Sequence, residues 1–470
     1  TPPPKIITSN QTVNWNKYEH QPSKRLSCDY FFNLDKAIET SDYLNSNRLK
    51  ILVVNPYYGG SLPTANYCVR AFNDMGHHAE AVECYKFAEG FFSIKKTTRN
   101  KINEESLSNQ FGHFMGQLIA AKAADFQPDL ILALAQAPLT PEAIKNLKKL
   151  NVPIAFWFVE DFRTLSYWKE IASYYDYFFT IQRGEFFDEL SSIGMNNFYY
   201  LAQGCLPGVH KEINLPLDDM HQYSADVSFM GAGYYNRVQS FPRLLSHDFK
   251  IWGTEWVLES DIGNRVQNKN KRVDQVETVK IYNAGKVNLN LHSSTFHSGV
   301  NPVGDFVNPR TFEIAACGGF QLVDERSELA ELIEPGTEIA TFNSIDDLCD
   351  KVDYYLKHEN EAKSIAYQGR ARVLKEHTIQ HRMHEMLTHI FMDNLSLLKE
   401  RVNSRHRDPV SYYIDHVGDS SKLGKYLDQF RGLNEFSIKT MVNTIAKGEG
   451  DLSQEELLVL MTDQIVKSEA

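Results

Sequence analysis

At 470 residues the chain is too long for one hydrophobic core, so two domains of ordinary size plus extra segments are expected. A net charge of −11 with scattered Lys and Arg argues against a nucleic-acid partner, and no apolar run nears the ~20 residues of a membrane helix. The start TPPPKIITSN lacks the form of a signal peptide, and Cys28, Cys68, Cys84, Cys205, Cys317 and Cys349 are far apart with no C-x-x-C, so a soluble protein of the reducing cytoplasm is expected, with neither a disulfide framework nor a zinc site.

Residues 1–47 are polar, with prolines at the front and a short amphipathic piece near 30–38, and read as an arm packed on a domain. Residues 49–54 form the first buried strand and run into NPYYGGSLPTANYCVRAFNDMGHHAEAVE, the order strand, glycine turn, helix, strand. Gly59 and Gly60 let the backbone come close to a ligand at the strand's carboxyl end, although a plain turn explains them as well; the helix at 64–75 stops at Gly76. Further strands at 129–134, 153–159 and 177–181 alternate with helices at 104–124, 141–150, 164–174 and 184–193. Such alternation predicts a parallel sheet wound on both faces. The strand at 153–159 runs into Glu160 and Asp161, placing two acids at a carboxyl edge where open α/β sheets bind ligands. A base or acceptor-orienting role competes there with helix capping.

The alternation breaks at 206–222, LPGVHKEINLPLDDMHQ, the predicted hinge. A second unit then opens with strand 227–230, the turn Gly231-Ala232-Gly233 and a helix carrying Arg237, an arrangement that suits a phosphate at a helix start. Strands follow at 249–252 and 287–291. The stretch DFVNPRTFEIAACGGFQLVDE (305–325) then gives loop, helix, glycine stop and buried strand. Asn308 is a good N-cap, Pro309 fits the first helical position, and Gly318-Gly319 end the helix. Arg310 lies in that first turn, where the helix dipole disfavours a cation; a bound anion repairs the conflict, whereas the plainer reading pairs Arg310 with Glu313 on a solvated face. Residues 344–401 read as helices, with caps at Ser344 and Thr378. The histidines 377, 381 and 384 fit a packed helix face better than a metal site, and 405–470 reads as a polar helical extension with a cap at Ser453 and an apolar stripe Leu457, Leu458, Leu460 and Met461.

The segments DVSFMGAGYYNR, IWGTEW, IYNAGKVNLNLH, RTFEIAACGGFQLVDE and KEHTIQHRMHEML, in that order, resemble the CgeB-like (spore maturation protein type) glycosyltransferases, closely over 225–390 and more loosely over 48–205. The resemblance implies an α/β GT-B fold: two facing Rossmann-like doubly wound domains with a cleft between them, the acceptor domain at 48–210 and the donor domain at 220–395. It implies that Glu313 binds the ribose hydroxyls of a nucleotide-diphosphate sugar and that the acid eight positions earlier lies near the donor sugar. Asp305 stands there in place of the more usual Glu. The site expected on these grounds has Asp305, Arg310 and Asp161 in catalysis, and Glu313, Gly231, Gly233, Arg237, Asn308, Thr311, Gly59 and Gly60 on the donor. No metal and no cofactor beyond the sugar nucleotide are expected; the acceptor is a glycan or glycoprotein, and the acidic spacing leans towards retention. A sugar-nucleotide epimerase or hydrolase and a non-catalytic sugar-nucleotide scaffold remain as alternatives. The oligomeric state is not legible.

Overall fold

A computed structural model describes residues 34–405, 409–432, 436–448 and 450–469. The expected arm falls outside the described residues up to 33, as does Cys28; its remainder is the helix Leu34–Ser46, which buries Ala37, Thr40, Ser41 and Leu44. The chain divides into two compact units, one ending at Asp393 and one beginning at Asn394.

The larger unit holds two wholly parallel sheets. The first contains β1 (Lys50–Val54), β2 (His78–Val82), β3 (Leu130–Leu134), β4 (Ile154–Phe158), β5 (Tyr177–Thr180) and β6 (Phe198–Tyr200), in the order β2-β1-β3-β4-β5-β6. The second contains β7 (Ala225–Met230), β8 (Phe249–Trp252), β9 (Gly285–Asn290), β10 (Gln321–Asp324) and β11 (Ala340–Phe342), in the order β11-β10-β9-β7-β8. Every residue of β3, β4 and β10 is buried, as expected of strands covered on both faces, which need no polar alternation. In each sheet the strand order reverses once, between β1 and β3 and again between β7 and β9. At such a reversal the following helices leave on opposite faces and open a crevice beyond the carboxyl ends.

The doubly wound α/β organisation expected from the alternation is the one found. The edge strands β6 and β11 carry no legible pattern, because three residues on a sheet edge are too few to show one. The helix Ala88–Thr97 also escapes the sequence: it buries no residue and so presents no apolar stripe. The expected helix over 164–174 is shorter, Trp168–Ile171, followed by a tighter turn at Ala172–Tyr174, and the hinge region contains a helix of its own, Leu217–Tyr223.

Thr378 caps the helix Ile379–Phe391 reciprocally with His381. That helix returns to the first sheet and packs on the helices Ser61–Asp74 and Leu34–Ser46, with Gln380 donating to Asp74 at 3.1 Å. His377, His381 and His384 turn to three different partners, the Leu332 carbonyl, Thr378 and Ser41.

The smaller unit contains the helices Leu395–Arg405, Pro409–Val417, Lys422–Asp428, Ile438–Ile445 and Gln454–Glu469, with a core that includes Val410, Ile414, Leu427, Phe430, Met441, Ile445 and Val459. Ser453 caps the last helix in exchange with Glu456. The expected stripe of that helix is rotated: Val459 and Leu460 meet the core, whereas Leu457, Leu458 and Met461 are exposed. Among the described residues no helix is long and apolar enough to cross a membrane.

Candidate active site

The crevice of the second sheet is built around the helix Pro309–Ala316. Asn308 caps it, its Oδ1 accepting from the Thr311 N–H at 3.3 Å, and Gly318 ends it at φ +74°. The cap is itself fixed from behind. The Asn308 N–H donates to His292 Nε2 at 2.9 Å, and His292 Nδ1 lies 2.6 Å from Asp324 Oδ1. Because Nε2 accepts a backbone proton, the ring proton sits on Nδ1 and points at Asp324. Burial holds the imidazole down to about 4, so it is neutral at pH 7; burial pushes Asp324 up, but His292 and Arg326 outweigh it and hold the carboxyl at about 2. Sequence reasoning missed this pair, which joins the ends of β9 and β10, neighbours in the sheet but separated in the chain by a long loop and a helix.

Two arginines straddle the reversal between β7 and β9. Arg310 Nη1 donates to the Met230 carbonyl at 2.9 Å and its Nε to Asn290 Oδ1 at 3.3 Å, so it ties the end of β7 to the end of β9. Its guanidinium packs so closely on Gly231 that a Cβ there would lie 2.5 Å from Nη1. Arg237 spans the same gap, giving Nε and Nη2 to the Leu291 carbonyl and Nη1 to that of Ala232. Both cations lie over the Phe229 ring, at 5.6 and 5.0 Å. Burial lowers the pKa of both guanidiniums. Among the described residues no carboxylate stands within ion-pair distance of either. Asn308 and Thr311 are committed inward, each bonded to the Asn290 side chain, and Gly233 lies tight against the Glu255 carbonyl.

Glu313 lies one turn beyond Arg310 but does not pair with it. Its carboxylate is buried, takes no hydrogen bond from the described residues, and is raised to about 7 by burial, with Arg310 opposing. His210 Nε2 lies 3.7 Å from its Oε1. His210 Nδ1 accepts from the Leu206 N–H at 3.1 Å, which places the ring proton on Nε2. Burial lowers this histidine to about 3, so it is a neutral neighbour of Glu313 and not its counter-ion. His210 also meets Tyr67 Oη at 3.3 Å, from the helix Ser61–Asp74 of the first sheet. His210 thus stands between Glu313 and a helix of the first sheet.

Asp305 faces the first sheet directly. Its Oδ2 accepts from Arg163 Nη1 at 3.0 Å, while Oδ1 accepts from Gln182 Nε2 at 3.0 Å and the Phe306 N–H at 2.8 Å. Burial opposes ionisation, but these donors hold the carboxyl below its ordinary value. Arg183 reaches Glu331 across the cleft at 2.7 Å, and Arg272 donates to the Gly59 carbonyl at 2.6 Å.

Residues 236–388, which carry Arg237, Arg310 and Glu313, match the family described as Glycosyl transferase-like. Over 261 residues the chain is 26% identical to the spore protein CgeB of Bacillus subtilis (strain 168), a match covering 52% of this chain and 77% of CgeB. The chain is similar to the CgeB-like glycosyltransferases. In the solved structures, a glycosyltransferase from Rickettsia africae ESF-5 is similar in fold, with a TM-score of 0.50 at 12% identity over 74% of this chain and 99% of that one. The architecture is GT-B, two Rossmann-like sheets facing across a cleft.

The first sheet supplies the opposite wall. Gly59, at φ +102°, and Gly60 lead into the helix Ser61–Asp74, which has no side-chain cap, so its first N–H groups stay available; a Cβ on Gly60 would meet nothing within 4 Å. Asp161 turns back on its own loop, its Oδ1 accepting from the Arg163 N–H at 3.0 Å and its Oδ2 lying 3.4 Å from Thr164 Oγ1. The neighbouring Glu160 is raised to about 7 by burial.

Proposed function

We propose that this glycosyltransferase moves a sugar from a nucleotide diphosphate to a hydroxyl of a glycan or glycoprotein, with the donor seated in the crevice between β7 and β9. The observation that carries the reading is the pairing, within one helical turn, of a buried carboxylate with no donor among the described residues and a buried guanidinium with no carboxylate. The two hydroxyls of a ribose supply donors to Glu313, each charge-assisted bond contributing roughly 1.5–3 kcal/mol. A diphosphate supplies the anion that Arg310 and the start of the helix Pro309–Ala316 lack. Arg237 gives Nε, Nη1 and Nη2 to backbone carbonyls and acts by holding the turn Gly231-Ala232-Gly233 and by its charge.

Departure of the sugar leaves negative charge on the diphosphate, and fixed donors stabilise that charge in the transition state without needing a metal ion. Closure of the sheets keeps out water, which competes as acceptor. Asp305 contributes to that closure through Arg163 and Gln182. The described cysteines are all free thiols, which supports a reducing cytoplasmic setting.

The reading is tested by thermal-shift titration with nucleotides and sugar nucleotides, where a ligand at 100 times its Kd adds about 2.7 kcal/mol to stability. Arg310→Ala is expected to keep the fold and lower transfer by more than ~100-fold. A near-normal rate removes Arg310 from the reaction.

A further inference from the structure

Glu160 lies just past the end of β4, next to the crevice that opens between β1 and β3. Its Oε1 is 3.4 Å from Ser61 Oγ, and that hydroxyl is 3.1 Å from the Ala135 carbonyl. A hydroxyl has one proton to give. Ser61 therefore divides its one proton between the Ala135 carbonyl and Glu160 Oε1, the shorter contact being to the carbonyl, and leaves the carboxylate weakly satisfied. The carboxyl is raised to about 7: burial is the cause, Ser61 opposes it and Asp161 adds to it. The titratable groups that face Glu160 are Asp161 on its own loop and Tyr167 from the turn that follows. Among the described residues no Lys or Arg forms an ion pair with it.

A second acceptor without a donor stands beside it. Gln136, at the end of β3, holds φ +66°, a conformation that non-glycine residues seldom adopt, and its N–H donates to Tyr167 Oη at 2.7 Å. Its Oε1 is buried without a hydrogen-bond partner and lies where a Cβ on Gly59 would be 2.7 Å away. The glycine turn, Gln136 and Glu160 therefore bring two under-satisfied acceptors beside the open N–H groups of a helix start, and the hydroxyls of a polyhydroxylated ligand, which both donate and accept, complement such a set. The helix Ser61–Asp74 measures its distance from the donor: from Ser61, beside Glu160, to Tyr67, beside His210 and Glu313, the rise is about 9 Å.

We propose that Glu160 is the base that takes the proton from the acceptor hydroxyl, and that Gln136 and Ser61 complete a subsite for that polyhydroxylated acceptor. The proposal rests on the donor reading above. As the acceptor oxygen forms its bond to the anomeric carbon, its proton passes to the Glu160 carboxylate. The carbon–oxygen bond to the diphosphate breaks, its electron pair leaves with the nucleoside diphosphate, and Glu160 then returns the proton to solvent. Proton transfer to Glu160 as the diphosphate leaves makes the reaction a single in-line displacement, so the anomeric configuration inverts, in contrast to the retention that the acidic spacing suggests.

The test uses the full chain with UDP-, GDP-, ADP- and dTDP-hexoses, following release of nucleoside diphosphate with water or a free hexose as acceptor. Wild-type turnover is expected to fall on the acid side of about 7. Glu160→Gln is expected to bind donor with wild-type affinity by calorimetry, to turn over about 100-fold more slowly or worse, and to lose that acid limb, with Glu160→Asp restoring part of the rate. NMR of the first-formed product should show the inverted anomer. A Glu160→Gln protein with normal rate, an acid limb that survives it, or a retained anomer overturns the proposal. Failure of the donor reading is distinguishable, because then the wild type binds none of the nucleotides or Glu313→Ala leaves their affinity unchanged.

Discussion

Glu313 shows how a single side chain can be set for a ligand at a cost to the free fold. Its carboxyl is raised from 4.5 to about 7 in the folded protein. A group whose folded pKa exceeds its unfolded one favours the fold fully below the unfolded value. That contribution declines as pH rises and is gone once the folded pKa is passed. Ligand-free Glu313→Gln, which has no charge to bury, should therefore gain stability relative to wild type as pH climbs from 4.5 to about 7, with a constant difference above that. Saturating nucleoside diphosphate should reverse the order at neutral pH, since only the carboxylate accepts from both ribose hydroxyls. Thermal melts of both proteins with and without nucleotide measure this. A pH-independent difference would show that Glu313 is already neutralised by a protein partner.

At the scale of the element, the helix Pro309–Ala316 was legible in the sequence because its boundaries are local chemistry: an asparagine cap, a proline at the first position and a glycine stop. What holds its start in place was not legible. The Asp324–His292–Asn308 chain joins residues that come together only once β9 and β10 lie side by side. The same holds for Glu160 and Asp161: the sequence places both at a sheet edge, but only the packed structure shows that Asp161 bonds to its own loop while Glu160 meets Ser61. Asn308→Ala should cost about 1 kcal/mol from loss of the cap. His292→Ala should cost more, roughly 1–3 kcal/mol, because it leaves a buried N–H and a buried carboxylate short of partners. Urea denaturation of the two variants checks the order, and nucleotide affinity should fall in both. Equal stability of His292→Ala and wild type would remove the histidine from the support of this helix.

At the scale of the molecule, alternating strands and helices announced two doubly wound sheets, and the segment 206–222 lies between the last strand of one and the first strand of the other. Periodicity says nothing about how such sheets meet, so the links Arg163–Asp305, Arg183–Glu331 and Arg272–Gly59 could not be foreseen. Asp305 was expected beside the donor sugar; here it bonds to the opposite sheet with both carboxylate oxygens. If its role is to keep the cleft closed, Arg163→Ala and Asp305→Asn should slow transfer by similar factors, and the double variant should be little worse than either. Small-angle scattering should show both singles more open than wild type. Strictly additive losses would instead give Asp305 a contact with substrate that Arg163 does not share.

The central proposal is one placement: a nucleoside diphosphate at the reversal between β7 and β9. The most direct measurement is a crystal structure of the full chain with UDP, GDP or ADP, whichever gives the largest thermal shift. The diphosphate should lie against Arg310 and the first N–H groups of the helix Pro309–Ala316, with both ribose hydroxyls donating to Glu313. A nucleotide bound outside that crevice, or one whose ribose leaves Glu313 untouched, would refute this account of the donor site.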